Sequence, residues 1–373
     1  MRIVCEKDKA LEAVRIAQNA ITSTTLPILS HLLLSTDEGR VEVVGTNLET
    51  TIGSFFEATV EEQGNICLPG NRFYSILREL PPGELYLEVA QDKCKIKMGE
   101  ISFTLLGISS EDFPEVPSKL KTACSLSQVS LQEILTKTMF AAGQDEVRQS
   151  LNCILLESSS EDQTEGHPFL RAVATDGRRL SSLAIPQSSI STSFKVLLPL
   201  KAARQLIKIL SGQENVEMGL GESRVSFTTS EFSFFSQLID ANFPDYRGVI
   251  PRDYKVSFEI ERGIFTDAVK RVSILSDEQT RLVKFKLEDD TLNIAATSAE
   301  IGSAQERLPV KIEGERYQIE IGFNALFLLE ALRVMEGETV KVHLIDQESP
   351  GAFYPKSPYN HIYILMPVKL REE

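Results

Sequence analysis

The segment Thr175-Asp176-Gly177-Arg178-Arg179 directly follows a short apolar strand, and a similar arrangement occurs twice more in the chain. Gly45-Thr46-Asn47-Leu48-Glu49 is the earlier copy, and Thr297-Ser298-Ala299-Glu300-Ile301 is the later one. The copies lie roughly 120–130 residues apart, which is much longer than the unit of about 20–50 residues that builds solenoids. The spacing therefore predicts one domain present in three copies.

Other segments repeat in the same order. Phe113-Pro114 and Phe243-Pro244 follow equivalent strands in the first two copies. We place the three domains at residues 1–122, 123–250 and 251–373. Three similar domains in one chain indicate a symmetric structure, and symmetric structures often enclose a central space.

Each copy contains two helical patterns and several alternating strands. The first helix follows Asp8 in the first copy and Ser130 in the second, and both residues are good N-caps. The second helix is predicted midway through each copy, at residues 71–80, 200–210 and 324–335. With about eight strands in each copy, the predicted class is α+β, with helices segregated from antiparallel sheet.

Composition is that of an ordinary soluble globular protein, with 42% hydrophobic and 25% charged residues. No apolar run approaches the roughly 20 residues that span a bilayer, and the N-terminus lacks a signal-peptide pattern. We therefore expect a cytoplasmic protein without membrane contact.

Five scattered cysteines predict reduced, buried thiols rather than disulfides: Cys5, Cys67, Cys94, Cys124 and Cys153.

The formal net charge of −14 argues against DNA binding until its distribution is considered. Six windows around the predicted helices together carry +4, so the rest of the chain carries −18. Lys201, Arg204 and Lys208 lie along one face of the middle helix with no acidic residue in that window. The helices are therefore more basic than the rest of this acidic protein. For any single helix, however, an ordinary solvent-exposed face would explain the charge.

No motif for catalysis, phosphate binding or metal binding is found, so neither a cofactor nor a metal is expected. The four histidines, His31, His167, His343 and His361, have no partner at ligand spacing. Asp176 is the one acidic candidate for a catalytic role. However, Asp-Gly after a strand is first of all a turn dipeptide.

The chain resembles a known family, the bacterial DNA polymerase III beta subunits or sliding clamps. The resemblance rests on an ordered set of segments from Met1 to about Leu370: residues 174–180, 243–247, 271–276, 321–324 and 363–370. It implies a non-enzymatic processivity factor built as a head-to-tail homodimer, a ring of six similar domains. The helices would line the central hole of the ring. The ring would encircle duplex DNA without recognising its sequence.

The resemblance also implies a groove for short linear peptides between the second and third domains. Its partners would be the polymerase III catalytic subunit, the clamp loader, other polymerases and repair proteins. Arg179 and the backbone near Gly177 would bind polar groups of the peptide. The matching groove positions are Leu151, Thr175, Gly177, Arg178, Arg179, Leu180, Pro244, Arg247, Val249, Phe327, Ile364, Met366, Pro367, Val368 and Lys369.

Two further sets of positions complete the sequence-based hypothesis. Phe103 and Leu105 of one subunit would contact Ile274 and Leu275 of the other. For these four residues, packing in the domain core is the alternative. The residues expected to face DNA are Arg72, Arg148, Gln149, Lys201, Arg204, Lys208 and Arg281.

Two other functions stay open on sequence grounds. One is a triplicated protein-only scaffold that binds peptides and does not encircle DNA. The other is a hydrolase built around Asp176, for which the sequence basis is poor. A monomer, or a dimer that never encircles DNA, would favour the scaffold, and turnover abolished by Asp176→Asn would favour the hydrolase.

Overall fold

The computed structural model describes residues 1–22, 26–144, 148–159, 168–190, 193–212, 214–313 and 318–370. It divides into two compact units, one formed by Met1–Val129 with Lys201–Leu238 and the other by Ser130–Leu200 with Ile239–Glu373. The second predicted domain therefore contributes to both units. Within the described ranges, no helix is long and apolar enough to cross a membrane.

The described residues form six α-helices, two in each predicted domain: α1 (Lys7–Ala17), α2 (Gly70–Glu79), α3 (Gln128–Met139), α4 (Leu200–Ile209), α5 (Arg262–Ser273) and α6 (Ala325–Val334). The first domain's strands are β1 (Arg2–Glu6), β2 (His31–Asp37), β3 (Arg40–Thr46), β4 (Thr50–Glu57), β5 (Thr59–Glu62), β6 (Asn65–Pro69), β7 (Glu84–Ala90), β8 (Lys93–Met98) and β9 (Ile101–Leu106).

The second domain's strands are β10 (Lys121–Ser127), β11 (Cys153–Ser159), β12 (Phe169–Thr175), β13 (Arg179–Pro186), β14 (Phe194–Pro199), β15 (Asn215–Leu220), β16 (Arg224–Thr228) and β17 (Phe232–Gln237). The third domain's strands are β18 (Val256–Glu261), β19 (Leu282–Glu288), β20 (Thr291–Ser298), β21 (Gly302–Pro309), β22 (Lys311–Glu313), β23 (Ile319–Asn324), β24 (Thr339–Leu344), β25 (Gly351–Pro355) and β26 (Asn360–Leu365). Short 3₁₀ helices span Pro27–Ser30, Gln149–Leu151 and Tyr246–Val249.

The first unit contains two antiparallel sheets. The larger has the strand order β10-β15-β16-β17-β4-β3-β2-β6, and the smaller has the order β5-β1-β7-β8-β9. Strands β17 and β4 come from different predicted domains and pair directly, with Phe234 opposite Ile52. This pairing covers two strand edges that would otherwise be open to association with another chain.

The second unit repeats this arrangement. Its larger sheet has the order β14-β11-β12-β13-β26-β25-β24-β18-β22, and its smaller sheet has the order β21-β20-β19-β23. Strands β13 and β26 join the second and third predicted domains, with Leu180 opposite Ile364. Sheet continuity between neighbouring domains thus occurs in both units.

Hydrophobic cores lie between helices and sheets. In the first unit, Ala10 and Val14 of α1 and Phe73 of α2 pack in one cluster with the strand residues of both sheets. In the second unit, Phe265 of α5 and Leu328 of α6 occupy the equivalent cluster. Each of these helices therefore buries an apolar face against the sheets.

The predicted helix starts were wrong at two places. Helix α1 begins at Lys7 and α3 at Gln128, so neither Asp8 nor Ser130 is the N-cap. The first helical N–H instead donates to a carbonyl far along the chain: Gly83 for α1, at 3.0 Å, and Glu214 for α3, at 3.1 Å. Because these distant carbonyls satisfy the donor, no local capping side chain is required.

All five cysteines are buried and unpaired, as the sequence predicted. Burial raises the pKa of the thiols to about 12 for Cys5, Cys67, Cys94 and Cys153 and to about 11 for Cys124. Such thiols remain protonated and are poor nucleophiles at neutral pH.

The segment from which the repeat was first identified forms a turn between β12 and β13. The Thr175 hydroxyl donates to the Arg179 carbonyl at 2.6 Å and accepts from the Gly177 N–H at 3.0 Å. Asp176 Oδ1 accepts from the N–H groups of Arg178 and Arg179 at 2.9 and 3.0 Å. Gly177 has φ of +86°, in the region that favours glycine.

The turn between β3 and β4 has the same hydrogen bonds. The Thr46 hydroxyl bonds the Thr50 carbonyl and the Leu48 N–H, and the Asn47 side chain accepts from the N–H groups of Glu49 and Thr50. Thr46, rather than Gly45, is therefore equivalent to the threonine of the later turn. The third copy differs, since Ser298 pairs with Gly302 across a loop of three residues, 299–301.

Candidate partner-binding groove and basic helices

A cavity of about 240 Å³ lies in the second unit, where the β12–β13 turn, the end of β26 and the 3₁₀ helix at Tyr246–Val249 meet. We call it the partner groove. Most of the positions predicted for the groove line it: Leu151, Thr175, Gly177, Arg178, Arg179, Leu180, Pro244, Val249, Ile364 and Met366. Arg148, Asp245 and Tyr246 also line it and were not among the predicted groove residues.

The groove has an apolar floor and an adaptable rim. Leu180 and Ile364 form the floor and are almost completely buried. Val249 and Met366 stand at the rim, 43% and 40% exposed. The Met366 N–H donates to the Arg178 carbonyl at 2.9 Å, which fixes the end of β26 against the turn. A flexible thioether beside buried aliphatic groups suits peptides of differing shape.

The Arg179 side chain, predicted to bind polar groups of the peptide, is held by groups of the chain itself. Its Nε donates to Asp176 at 3.0 Å, one terminal nitrogen pairs with Glu330, and the other donates to the Phe140 carbonyl at 2.8 Å. The guanidinium carbon also lies 4.2 Å from the centre of the Phe327 ring. The guanidinium thus supports the wall of the groove, and a peptide group that binds it would have to replace one of these partners.

A polar network that was not predicted from the sequence holds Tyr246 in the lining of the groove. Tyr246 donates a short hydrogen bond to Glu157, which also pairs with Arg171 at 3.4 Å and Arg247 at 3.2 Å. Burial, with the hydrogen bond to Glu157, raises the pKa of Tyr246. The sequence signal for this network was an acidic residue, Glu157, directly after the apolar residues of β11.

Five predicted groove residues lie outside the lining of the cavity. Arg247 is occupied by Glu157, and Phe327 stacks under Arg179. The remaining three, Pro367, Val368 and Lys369, follow β26 along the chain, and the Val368 N–H donates to the Gly322 carbonyl at 2.8 Å. This terminal segment therefore continues beside β23 rather than into the groove.

The basic residues predicted to face DNA are exposed in both units. Lys201, Arg204 and Lys208 project from α4, and Arg72 projects from α2. Although that stretch of sequence contains no acidic residue, the fold places one nearby, since Lys201 Nζ lies 3.2 Å from a carboxylate oxygen of Glu49. That acid belongs to the β3–β4 turn and is remote in sequence.

In the second unit, Gln149 and Arg281 are also exposed, whereas the exposed Arg148 borders the partner groove. The Arg281 backbone has φ of +49°, and its carbonyl accepts from the first N–H of α6 at 2.8 Å. Its position is therefore fixed by the start of that helix.

Of the residues predicted at the dimer contact, two are exposed apolar groups. Phe103 lies on β9, an edge strand of the smaller sheet of the first unit, and is 39% exposed. Ile274, just after α5 in the second unit, is 75% exposed. Leu105 and Leu275 are half-buried, and Leu105 packs against the core of the first unit.

The described residues hold no group of three or more His, Cys, Asp or Glu placed to bind a metal ion. Asp176 has both carboxylate oxygens engaged, one by the turn and the other by Arg179. Among the histidines, His361 is buried and His31 and His343 are half-buried, while His167 lies outside the described residues. Asp176 is thus a turn residue, which removes the basis for the hydrolase hypothesis.

The fold and the groove together define the DNA clamp class. The chain has three copies of a two-helix α+β unit, sheets that continue across domain borders, and an apolar groove beside the last strand. Profiles of the N-terminal, central and C-terminal domains of the DNA polymerase III beta subunit match residues 1–117, 125–245 and 247–369. The beta sliding clamp of Pseudomonas putida is 32% identical over 379 residues, covering 99% of this chain and 100% of the relative.

Solved structures agree with this assignment. The DNA polymerase sliding clamp of Pseudomonas aeruginosa superposes with a TM-score of 0.91 at 30% identity, covering 99% of this chain and 100% of that one. The clamp of Bacillus subtilis gives 0.92 at 27% identity, with both chains fully covered. The chain belongs to the bacterial DNA polymerase III beta subunit family, the beta sliding clamps. It is a non-catalytic processivity subunit.

Proposed function

We propose that this chain acts as a head-to-tail homodimer that encircles duplex DNA and carries polymerase III and other partners in its groove. The observation that supports closure is a pair of unlike, unpartnered apolar features. One is the edge strand β9 with Phe103, and the other is the exposed Ile274. Such a heterologous contact produces a closed ring when the rotation between copies closes, and a filament otherwise.

The mechanism is topological rather than chemical. A closed ring stays on DNA because the duplex passes through it, so the ring needs only weak attraction to the phosphates. Three separated cations on α4 would supply such attraction, which counterions in solution readily weaken. The acidic remainder of the chain disfavours DNA on other surfaces. The ring would act in the cytoplasm, where bacterial DNA is replicated.

The partner groove supports the second half of the proposal. Its apolar floor and methionine rim suit a short linear peptide. The polymerase III catalytic subunit, the clamp loader, other polymerases and repair proteins would each present such a peptide. Because one groove serves them all, they would compete for it.

Retention on nicked circular DNA tests the topological mechanism. The protein is loaded by its clamp loader with ATP, and bound protein is measured before and after the circle is linearised. We expect retention on the circle and release from the linear form. Equal retention on both forms would mean ordinary DNA binding. An absence of loading, with the dimer and the loader's activity verified, would favour the protein-only scaffold.

Charge reversal on α4 tests the DNA-facing assignment. The double variant Lys201→Glu with Arg204→Glu should lower the amount of loaded protein about tenfold at 0.1 M salt, because it replaces attraction with repulsion. Its dimer should form normally. Lys284→Glu with Lys286→Glu on β19 is a matched control, since it makes the same charge change and also breaks exposed ion pairs. Equal effects of the two double variants would contradict the assignment.

A further inference from the structure

The first unit contains a second cavity that is built like the partner groove. It measures about 280 Å³ and lies where the β3–β4 turn, the end of β17 and residues 114–117 meet. Thr46 and Pro114 line it at the places that Thr175 and Pro244 hold in the partner groove. The Gln237 N–H donates to the Glu49 carbonyl at 2.9 Å, the same length as the bond from Met366 to Arg178. We call it the first-unit cavity.

At one equivalent turn position the two cavities carry opposite charges, whereas Glu115 and its equivalent Asp245 are both acidic. Glu49 occupies the turn position that Arg178 holds in the partner groove. Glu115 follows Pro114 and adds a second exposed carboxylate, and Arg224 is the one cation among the residues that line the cavity. The ion pair of Glu49 with Lys201 is exposed at both ends, so a ligand cation can replace it at little cost.

Leu48 gives an independent reason to regard this cavity as a site. It lines the cavity, is 53% exposed and has φ of +76°, in the region that favours glycine. The equivalent residue of the partner groove is Gly177, which has no side chain to expose. A leucine held both exposed and strained contributes little to folding, and strained residues of this kind concentrate at ligand-binding sites.

We propose that the first-unit cavity is a second docking site, which binds a short linear peptide bearing an apolar side chain flanked by lysine or arginine. The apolar side chain contacts Leu48 and the prolines, and the flanking cations pair with Glu49 and Glu115. A partner could occupy this site while another occupies the partner groove, because the two cavities share no residue.

Fluorescence anisotropy with defined peptides on the full-length protein tests this proposal. The probe is acetyl-Gly-Lys-Leu-Lys-Leu-Lys-Gly-amide labelled with fluorescein. Two matched peptides replace either the lysines by glutamate or the leucines by serine. We expect the lysine–leucine peptide to bind at least tenfold more tightly than either. Equal binding of the serine peptide would show only nonspecific attraction to an acidic protein and would overturn the proposal.

Variants locate the binding. Leu48→Gly and Glu115→Lys should each weaken the lysine–leucine peptide at least fivefold, whereas the control Glu38→Lys in the exposed β2–β3 turn should not. Leu48→Gly relieves backbone strain, so a loss of binding would not reflect unfolding. Met366→Glu in the partner groove should leave this peptide bound. Loss of binding in Met366→Glu, or retention in both cavity variants, would refute the second site.

Discussion

A chain that lacks Met366–Glu373 is expected to lose at least 100-fold in affinity for a clamp-binding peptide from the polymerase III catalytic subunit. The deletion removes the Met366 side chain from the rim and the bond from its N–H to the Arg178 carbonyl. Because 1.4 kcal/mol corresponds to a tenfold change, this loss is about 3 kcal/mol. Fluorescence anisotropy with the labelled peptide measures the affinity.

The dimer should survive this truncation, since the predicted dimer contacts lie elsewhere, and sedimentation velocity checks it. Deletion also removes the bond from Val368 to Gly322, so a point variant is needed to separate binding from folding. Met366→Glu places a charge at the rim and keeps that bond. It should weaken the same peptide at least tenfold. Unchanged affinity in both variants would show that the partner groove is misplaced.

Ile274→Asp should convert the dimer to monomers, with the dimer Kd raised at least 100-fold. Ile274 is 75% exposed in the chain alone. Full burial of such a side chain stabilises a contact by about 1.5–3 kcal/mol, and a closed two-copy ring contains that contact twice. A buried, unpaired carboxylate adds a further penalty. Sedimentation equilibrium measures the Kd.

Ile264→Asp is the matched control for that variant. Ile264 is an exposed residue at the start of α5, whereas Ile274 follows the end of the helix. It should leave the dimer intact. A dimer that tolerates Ile274→Asp as well as Ile264→Asp would mean that copies of the chain associate through another surface, and the ring proposal would fail.

The partner groove shows how far sequence reasoning reached. The groove positions were implied by the resemblance to the sliding-clamp family, and ten of the fifteen line one cavity. The ion pair of Arg179 with Glu330 was not predicted, because the two residues lie 151 positions apart in sequence. Glu157 was missed for the same reason, since Tyr246, its hydrogen-bond donor, is 89 residues away.

Helix boundaries also divide into features set by nearby residues and features set by residues remote in sequence. All six helices were predicted from apolar spacing, capping patterns and stop signals, because these features depend on residues close together in sequence. Capping signals placed two helix starts incorrectly. The donors at those starts are satisfied by Gly83 and Glu214, and no local pattern reports a carbonyl so remote in sequence.

The sequence by itself determined the threefold repeat, the α+β class and the turns at Thr46 and Thr175. These features depend on side chains and backbone groups within a few residues of one another. Tertiary structure decided which strand edges pair between domains, how Arg179 and Glu157 are neutralised, and that Glu49 lies beside Lys201. Those outcomes depend on which distant groups share a buried or close position, and this is fixed only when the chain has folded.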